Sequence, residues 1–238
     1  MKKIIIFSVI CAVACCSNIF AQYPDWINYT SGQGVSVLAN NGNELWIGPC
    51  EGGLVKLDKT TDGMTFYNHA NSGLPHNCVN ALAIDGSNVW IGTCGGLAKF
   101  DGTNWTVYNT SNSGMPDNQV SALATDGSNI WIATEWGGLT KYDGTNWTVY
   151  NTTNSGMPDN QVSALATDGS NIWIATGVYW GKTGAGLAKY AGTNWTVYNT
   201  TYSGLPHNCV NALAIDGSNV WIGTGGGLAK FDGAHCTV

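Results

Sequence analysis

Two His-x-Cys pairs are the residues of this sequence best suited to hold a metal ion. His76 with Cys78 forms the first pair, and His207 with Cys209 forms the second. Imidazole nitrogen and thiolate sulfur are common ligands of Zn²⁺, and four of them complete a tetrahedral site. Each pair lies in one copy of a repeated segment, so duplication explains the second pair without any metal. We therefore predict no metal and no cofactor, and keep the two pairs as the alternative.

Two carboxylates occupy the same repeat position as the histidines. Asp117 and Asp159 lie on neighbouring repeats, where they could act as an acid and a base. With His76 and His207 they are the candidate catalytic groups of an enzyme such as a lyase or a glycosidase. The sequence shows no apolar pocket that would separate their pKa values. The other carboxylates mostly fall in turns, where they bind backbone amides, so we interpret the chain as non-catalytic and keep the enzyme as an alternative.

Several aromatic residues depart from the repeat pattern and are the predicted ligand-binding residues. Exposed rings suit stacking on the apolar faces of sugars, while nearby polar groups bind hydroxyls. Alternatively, the insertion at residues 177–185 buries its own rings in a small local core. The aromatic candidates are Trp136, Tyr179, Trp180 and Tyr202, and the polar candidates are Glu135, Lys182, Asp117 and Asp159.

Internal repeats are the elements that must position these residues. The tyrosine of a recurring WTVYN-like motif falls at positions 29, 67, 108, 150 and 198, which gives spacings of 38, 41, 42 and 48 residues. Segments 72–102 and 203–233 differ only at Cys94 and Gly225, and segments 103–134 and 145–176 differ only at Ser111 and Thr153. Such a period is typical of propeller blades.

Each repeat contains four strand-like runs separated by turn residues. In the second repeat these runs are residues 79–84, 89–93, 96–100 and 105–108, short segments rich in β-branched and aromatic residues. The sequence predicts an all-β propeller of about five blades, each with four antiparallel strands, in one domain at residues 22–238. We expect one repeated tryptophan to fill the space between neighbouring blades: Trp46, Trp90, Trp131, Trp173 and Trp221.

The number of outer strands leaves the closure of the propeller open. The outer-strand motif occurs at residues 26–29 before the first complete repeat, and residues 236–238 begin another copy. Either residues 26–29 complete the last blade and close a five-bladed ring, leaving residues 236–238 as a frayed tail, or the chain is a fragment of a larger array. A purely structural or assembly role is the third functional class.

The segment SGLPHNCVNALAIDGSNVWIGTCGGLAKFDG, residues 72–102, resembles the two-component-regulator propeller repeat. The resemblance rests on the LPxNxV loop, the Asp turn, WIGT and GGL in fixed order, and degenerate copies cover nearly all of residues 22–238. It implies the exported sensor part of a regulator, and in that family many sensors are thought to respond to polysaccharide fragments. Because we find no kinase and no DNA-binding segment, the expected function is a stand-alone module that binds a glycan or a surface protein.

The first residues and the charge indicate export. Lys2 and Lys3 precede a short apolar run that ends at Ala21, as in a signal peptide comprising residues 1–21. Lipoprotein anchoring at Cys15 is the alternative, and the expected location is periplasmic or extracellular. Residues 22–238 carry seven lysines, no arginine and fifteen acidic residues, a net charge of −8. This charge argues against a nucleic-acid partner, and the apolar run is too short to span a membrane.

The predicted cleavage leaves an odd number of cysteines. Cys50, Cys78, Cys94, Cys209 and Cys236 remain, so in an oxidising compartment at least one thiol has no partner in the chain. Cys50, Cys78, Cys94 and Cys209 are expected on one face of the propeller, and we expect a disulfide among them in preference to zinc.

Overall fold

The computed structural model describes residues 34–177, 184–233 and 236–237. These residues belong to one compact unit, Gly32–Val238. Several sequence predictions lie outside the described residues: the signal peptide at 1–21, the outer-strand motif at 26–29, and the site residues Tyr179, Trp180 and Lys182.

The described chain forms five sheets, which we call blades 1 to 5. Blade 1 contains β1 (Val35–Asn41), β2 (Glu44–Pro49), β3 (Leu54–Asp58) and β4 (Gly63–Tyr67). Blade 2 contains β5 (Val79–Asp85), β6 (Asn88–Thr93), β7 (Gly96–Phe100) and β8 (Trp105–Tyr108). Blade 3 contains β9 (Val120–Thr125), β10 (Ile130–Thr134), β11 (Gly138–Tyr142) and β12 (Trp147–Tyr150). Blade 4 contains β13 (Val162–Thr167), β14 (Ile172–Thr176), β15 (Gly186–Ala191) and β16 (Asn194–Tyr198). Blade 5 contains β17 (Val210–Asp216), β18 (Asn219–Thr224), β19 (Gly227–Phe231) and β20 (Cys236–Thr237).

Each blade is a four-stranded antiparallel sheet in sequence order, which confirms the predicted all-β propeller of about five blades. No helix occurs in the described residues, and none of them therefore forms an apolar helix long enough to cross a bilayer. The last blade differs from the alternative in which residues 26–29 complete it and residues 236–238 fray. Cys236 pairs with Phe231 and Thr237 with Lys230, so residues 236–237 take the outer place that residues 26–29 were considered to fill.

Tryptophan packing between blades follows the prediction for Trp46, Trp90, Trp131 and Trp173, whereas Trp221 in the last blade is only partly buried. Trp46 lies 6.0 Å from Phe100 of the next blade between ring centroids, and Trp131 lies 5.6 Å from Tyr190 in the same way. A lysine of the third strand covers the tryptophan of its own blade, as Lys189 does at 5.2 Å from the Trp173 ring. Five of the seven lysines in residues 22–238 have this position, which places most of the positive charge over aromatic faces.

The first turn of the blade takes two forms. In blade 2, Asp85 pairs with Asn88 across a tight turn in which Gly86 has φ of 58°. In blade 3, the Thr125 hydroxyl accepts the Gly127 amide proton at 3.1 Å, and the Asp126 carboxylate accepts the Trp131 indole N–H at 2.8 Å. The sequence differs here by one residue, since Ile84 occupies the position of Thr125, so the expected capping role of this aspartate holds in blade 3 and not in blade 2.

The outward faces of the two terminal blades are exposed. Inner strands pack in series, β1 on β5, β5 on β9, β9 on β13 and β13 on β17. Within the described residues no comparable packing joins β17 to β1. Leu228 of blade 5 is 58% exposed, whereas Leu97 at the same position of blade 2 is fully buried. Blade 1 exposes Val35, Leu38, Met64 and Phe66.

Candidate functional site

Two sets of loops form one face of the propeller, which we call the loop face. The lead-in loop precedes the first strand of a blade, and the mid-blade loop joins its second and third strands. The backbone links the two sets: the Glu135 N–H donates to the Gln119 carbonyl at 2.9 Å, and the Cys94 N–H donates to the Cys78 carbonyl at 3.2 Å. The sequence analysis expected Cys78 of a lead-in loop and Cys94 of a mid-blade loop on one face, and these contacts agree with it.

The four candidate catalytic residues share one structural role in the lead-in loops. The His76 Nδ1 accepts the Cys78 N–H at 3.0 Å, and the Asp117 carboxylate accepts the Gln119 N–H at 3.1 Å. Asp159 and His207 accept the amides of Gln161 and Cys209 in the same way, at 3.0 Å and 2.9 Å. The turn geometry of the loop therefore accounts for an acceptor side chain at this position.

In blades 2, 3 and 4 a polar residue at the start of the inner strand joins the blade to the next one. Asn80 Nδ2 donates to the Val120 carbonyl at 3.1 Å. Ser121 Oγ donates to the Val162 carbonyl at 2.6 Å, and Ser163 Oγ donates to the Val210 carbonyl at 2.6 Å. Asn80, Ser121 and Ser163 also line the cavity among the inner strands. Part of their hydrogen-bonding capacity is already used by the bonds between blades.

A cavity of about 650 Å³ opens among the inner strands of blades 1 to 4. Its volume falls within the range of roughly 300–1,000 Å³ that is usual for small-molecule sites. Polar side chains and thiols dominate its lining. The lining residues are Ser36, Cys50, Cys78, Asn80, Cys94, Gln119, Val120, Ser121, Glu135 and Ser163.

Glu135 and Trp136 lie on the mid-blade loop of blade 3. Glu135 lines the cavity, and the side chain of Trp136, the next residue, is 56% exposed. The second carboxylate oxygen of Asp117 accepts the Trp136 N–H at 3.1 Å. Burial, and then repulsion from the Asp117 charge, raise the pKa of Glu135. The structure thus brings together three predicted site residues, and Asp117 fixes the loop that carries the other two.

The remaining described aromatic candidate lies elsewhere on the loop face. Tyr202 is 85% exposed on the lead-in loop of blade 5, and its N–H donates to Asn199 Oδ1 at 3.0 Å. It does not line the cavity between blades 1 and 4. Asp159 also lies outside that lining.

Thiols gather at the corner between blades 1 and 2. Cys50, Cys78 and Cys94 line both the central cavity and a second cavity of about 720 Å³ beside His76. The expected disulfide is not formed, since all five described cysteines are free thiols. Asn80 lies between two of them, because its Oδ1 accepts the Cys78 thiol proton at 3.3 Å and its Nδ2 donates to the Cys94 sulfur at 3.4 Å.

The electrostatics of this corner keep Cys78 protonated. Burial is the largest cause that raises the pKa of Cys78 to about 12, followed by the hydrogen bond and repulsion involving Cys94. Cys50 and Glu51 add smaller repulsive contributions. An isolated anion is therefore unfavourable at Cys78, as expected for a thiol among other acidic groups.

The alternative set of metal ligands, which the sequence analysis kept beside its prediction of no metal, missed one residue. The structure places His76, Cys78 and Cys94 within ligand distance of one another, whereas His207 and Cys209 lie in blade 5 and are not members of that group. Cys94 carries a signal that was visible in the sequence, because it is the single difference between segments 72–102 and 203–233.

Comparisons with known proteins support the repeat assignment. The family model described as two component regulator propeller matches residues 73–95 and residues 204–226. This chain carries two-component-regulator propeller repeats. Each matched repeat segment runs from the lead-in loop of its blade to the mid-blade loop, so it includes His76, Cys78 and Cys94 in blade 2. No curated protein matches the sequence.

Solved structures show that these repeats adopt a known propeller fold. The extracellular domain of a proposed hybrid two-component system, BT3049 from B. thetaiotaomicron, matches with a TM-score of 0.71 and 22% identity over 84% of this chain. The extracellular domain of BT4673, a proposed one-component system from the same organism, matches with a TM-score of 0.67 and 18% identity over 84% of this chain. The chain spans 28% and 30% of the lengths of these two proteins. A GH74 enzyme of Niastella koreensis matches with a TM-score of 0.61 and 17% identity, over 84% of this chain and 36% of its own. Identities this low show the fold alone.

Proposed function

We propose that the propeller is an exported binding module that holds an oligosaccharide on its loop face. The observation that carries the proposal is the exposed Trp136 ring on the same loop as Glu135, which lines a cavity together with other polar side chains and thiols. An aromatic ring beside convergent polar groups is the usual way in which a protein binds a sugar ring, whose faces are apolar and whose edge is hydroxylated.

The polar groups near Trp136 suit hydroxyl recognition. Glu135 lines the cavity, and its carboxylate is available as a hydrogen-bond acceptor. The Gln119 side chain lines the same cavity and offers both donors and acceptors. Asp117 contributes indirectly, because its two oxygens bind the backbone of Gln119 and Trp136 and so hold the ring in place.

The other predicted contacts come from loops that neighbour this one in the repeat order. Tyr179, Trp180 and Lys182 belong to the mid-blade loop of blade 4, whose neighbour in blade 3 carries Trp136. Tyr202 and Asp159 lie on lead-in loops and would contact a longer ligand. In this proposal the signal peptide at residues 1–21 delivers the domain of residues 22–238 to the periplasm or the outside of the cell, where oligosaccharides and surface proteins are encountered.

The BT3049 and BT4673 neighbours support a binding role, because they are extracellular domains of a proposed two-component and a proposed one-component system. The catalytic alternative has less support. His76, Asp117, Asp159 and His207 each accept an amide proton of their own loop, so their positions need no reaction to explain them.

Calorimetric titration with a panel of soluble oligosaccharides tests the proposal, with peptides from surface proteins as the comparison. The Trp136→Ala variant is expected to lose affinity by at least about tenfold, which is ~1.4 kcal/mol. Phe66→Ala is the matched control, because Phe66 is 54% exposed but lies on the outer strand of blade 1. The control variant should bind like the wild type.

Equal binding by Trp136→Ala and the wild type would contradict the site assignment. Binding of peptides and of no oligosaccharide would contradict the ligand class. Trp180→Ala, measured in the same way, tests whether the loop of blade 4 belongs to the site.

A further inference from the structure

Three potential metal ligands from two loops converge at the corner between blades 1 and 2. The His76 imidazole and the thiols of Cys78 and Cys94 each place a ligand atom within 4.8 Å of the others. The first two residues lie on the lead-in loop and the third on the mid-blade loop, and the Cys94 N–H to Cys78 carbonyl hydrogen bond ties these loops together. The fold thus positions the group before any ion arrives.

The repeats provide an internal comparison for this group. Blade 5 keeps the same pair, His207 and Cys209, with the same hydrogen bond between them. Gly225 occupies the position of Cys94 there. The third ligand therefore distinguishes blade 2 from a copy that matches it at every other position of the 72–102 segment.

A third sulfur, which is the fourth potential ligand, lies close to this group. Cys50 takes the position of Cys94 in blade 1 and lines both cavities with Cys78 and Cys94. The corresponding positions of blades 3, 4 and 5 hold Glu135, Gly177 and Gly225. Cysteine at the mid-blade loop is thus confined to the two blades that meet at this corner.

We propose that His76, Cys78 and Cys94 form a binding site for a thiophilic metal ion, with Zn²⁺ as the ion that the donor set suits best. Two thiolates and a neutral imidazole balance the charge of a divalent cation. Around tetrahedral zinc, ligand atoms lie roughly 3.5–3.8 Å apart, given Zn–S and Zn–N bonds of about 2.3 and 2.0 Å. Small side-chain rotations therefore bring the three ligand atoms to these separations. The fourth coordination position of the zinc ion is left to Cys50 or to a ligand in the 650 Å³ cavity among the inner strands.

The hydrogen bonds of the corner show what the ion replaces. The Cys78 thiol proton, which Asn80 Oδ1 accepts, leaves to solvent when the sulfur binds the metal, and the Cys94 proton leaves in the same way. The His76 Nδ1 lone pair accepts the Cys78 N–H and is the one that turns to the ion. Asn80 remains in place to donate to the Cys94 sulfur, which is the usual role of a hydrogen-bond donor behind a metal ligand.

Zinc titration of the chain, purified and handled under reducing conditions, tests the proposal. We expect one equivalent of Zn²⁺ per chain and, with Co²⁺ in its place, the near-ultraviolet absorption that reports thiolate ligation. Cys94→Gly is the decisive variant, because it gives blade 2 the residue that blade 5 already has. It should weaken Zn²⁺ binding by at least ~100-fold, since even loss of residues behind metal ligands costs 10–100-fold.

Gly225→Cys is the reciprocal variant. A Cβ built at Gly225 lies 3.2 Å from the His207 Nδ1, so a cysteine there lies beside His207 once the imidazole moves by a few tenths of an ångström. With Cys209, the partner of His207 in this loop, a second equivalent of Zn²⁺ should bind. Both variants should unfold at the same urea midpoint as the wild type, within error, in the absence of metal. The proposal is overturned if the reduced wild type binds no zinc, if Cys94→Gly binds it equally well, if Gly225→Cys gains no site, or if reducing conditions leave a Cys78–Cys94 disulfide intact.

Discussion

Removal of the Asp126 carboxylate should destabilise the propeller far more than removal of Asp85, although the two residues occupy the same repeat position. Asp126 accepts the Trp131 indole N–H at 2.8 Å and the turn amides of Ser128 and Asn129 at 2.9 and 2.8 Å. Within the described residues no side-chain hydrogen bond reaches the indole N–H of Trp90, the partner ring in blade 2, although it is buried. Substitution of Asp85, the equivalent residue of blade 2, is therefore the matched control.

The magnitude follows from the burial of the indole. Trp131 is 3% exposed, so Asp126→Ala leaves a buried donor without its acceptor, at a cost of about 1–3 kcal/mol. The turn amides are exposed and regain water, which adds about 0.5 kcal/mol. We expect a loss of about 2 kcal/mol in the free energy of unfolding, or about 4–8 °C in Tm for a domain of this size. Asp85→Ala should change stability by no more than about 0.5 kcal/mol.

The pH dependence gives a second measurement of the same interaction. Burial raises the pKa of Asp126, but the hydrogen bonds from Trp131, Asn129 and the turn amides outweigh it, and the net pKa is lowered. A carboxyl group with a lower pKa in the folded state stabilises the fold above its unfolded pKa of about 3.9, and this contribution is lost as the pH falls through the folded value. The stability gap between wild type and Asp126→Ala should thus be complete at about pH 6 and should shrink below about pH 4.

Urea unfolding followed by tryptophan fluorescence, with both variants at several pH values, makes the comparison. Equal losses in Asp126→Ala and Asp85→Ala would refute the reasoning, because the two differ in the indole hydrogen bond. A gap that does not change with pH would refute the assignment of the effect to the charged carboxylate.

Two further predictions use residues of the blade interfaces. Leu97→Ala should lower the free energy of unfolding by about 2–5 kcal/mol, whereas Leu228→Ala at the exposed position of blade 5 should change it by no more than about 0.5 kcal/mol; equal losses in urea unfolding would show that Leu228 is covered in solution. Burial, and then the hydrogen bond to Tyr142, raise the pKa of Tyr108 to about 12, so the neutral phenol stabilises the fold up to about pH 10 and this contribution is lost as the pH rises towards 12. Between pH 10 and 12, the free energy of unfolding of Tyr108→Phe should therefore fall less steeply than that of the wild type. The same dependence on pH in both proteins would contradict this.

The blades were predictable from the sequence because each is a local structure. Strand bounds in the second repeat differ from the prediction by one residue at most, Val79–Asp85 and Asn88–Thr93 against 79–84 and 89–93. The Trp90 and Trp131 contacts followed from repetition alone, since a residue present in every blade serves an interface that every pair of blades shares.

The site was less predictable because it depends on contacts between distant loops. The hydrogen bond from Trp136 to Asp117 joins residues 19 positions apart, and Asn80 meets Cys94 from another loop. Neither contact is indicated by a pattern of neighbouring residues in the sequence. The interpretation of turn carboxylates as acceptors of backbone amides fits Asp126 and not Asp85, because the two turns share the residues DGSN and differ in the preceding residue, Thr125 in one and Ile84 in the other.

The near-identity of blades 3 and 4 has a consequence for how the chain reaches its native pairing. Strand β9 has the same sequence as β13, and β10 the same as β14, so side chains alone do not distinguish a β9–β10 hairpin from a swapped β9–β14 pair. The swapped pair closes a connection roughly ten times longer, which costs about 2 kcal/mol more in chain entropy. The four-residue turn at Asp126 and Gly127 therefore carries much of the discrimination during folding, and at high protein concentration the same degeneracy favours exchange of hairpins between chains.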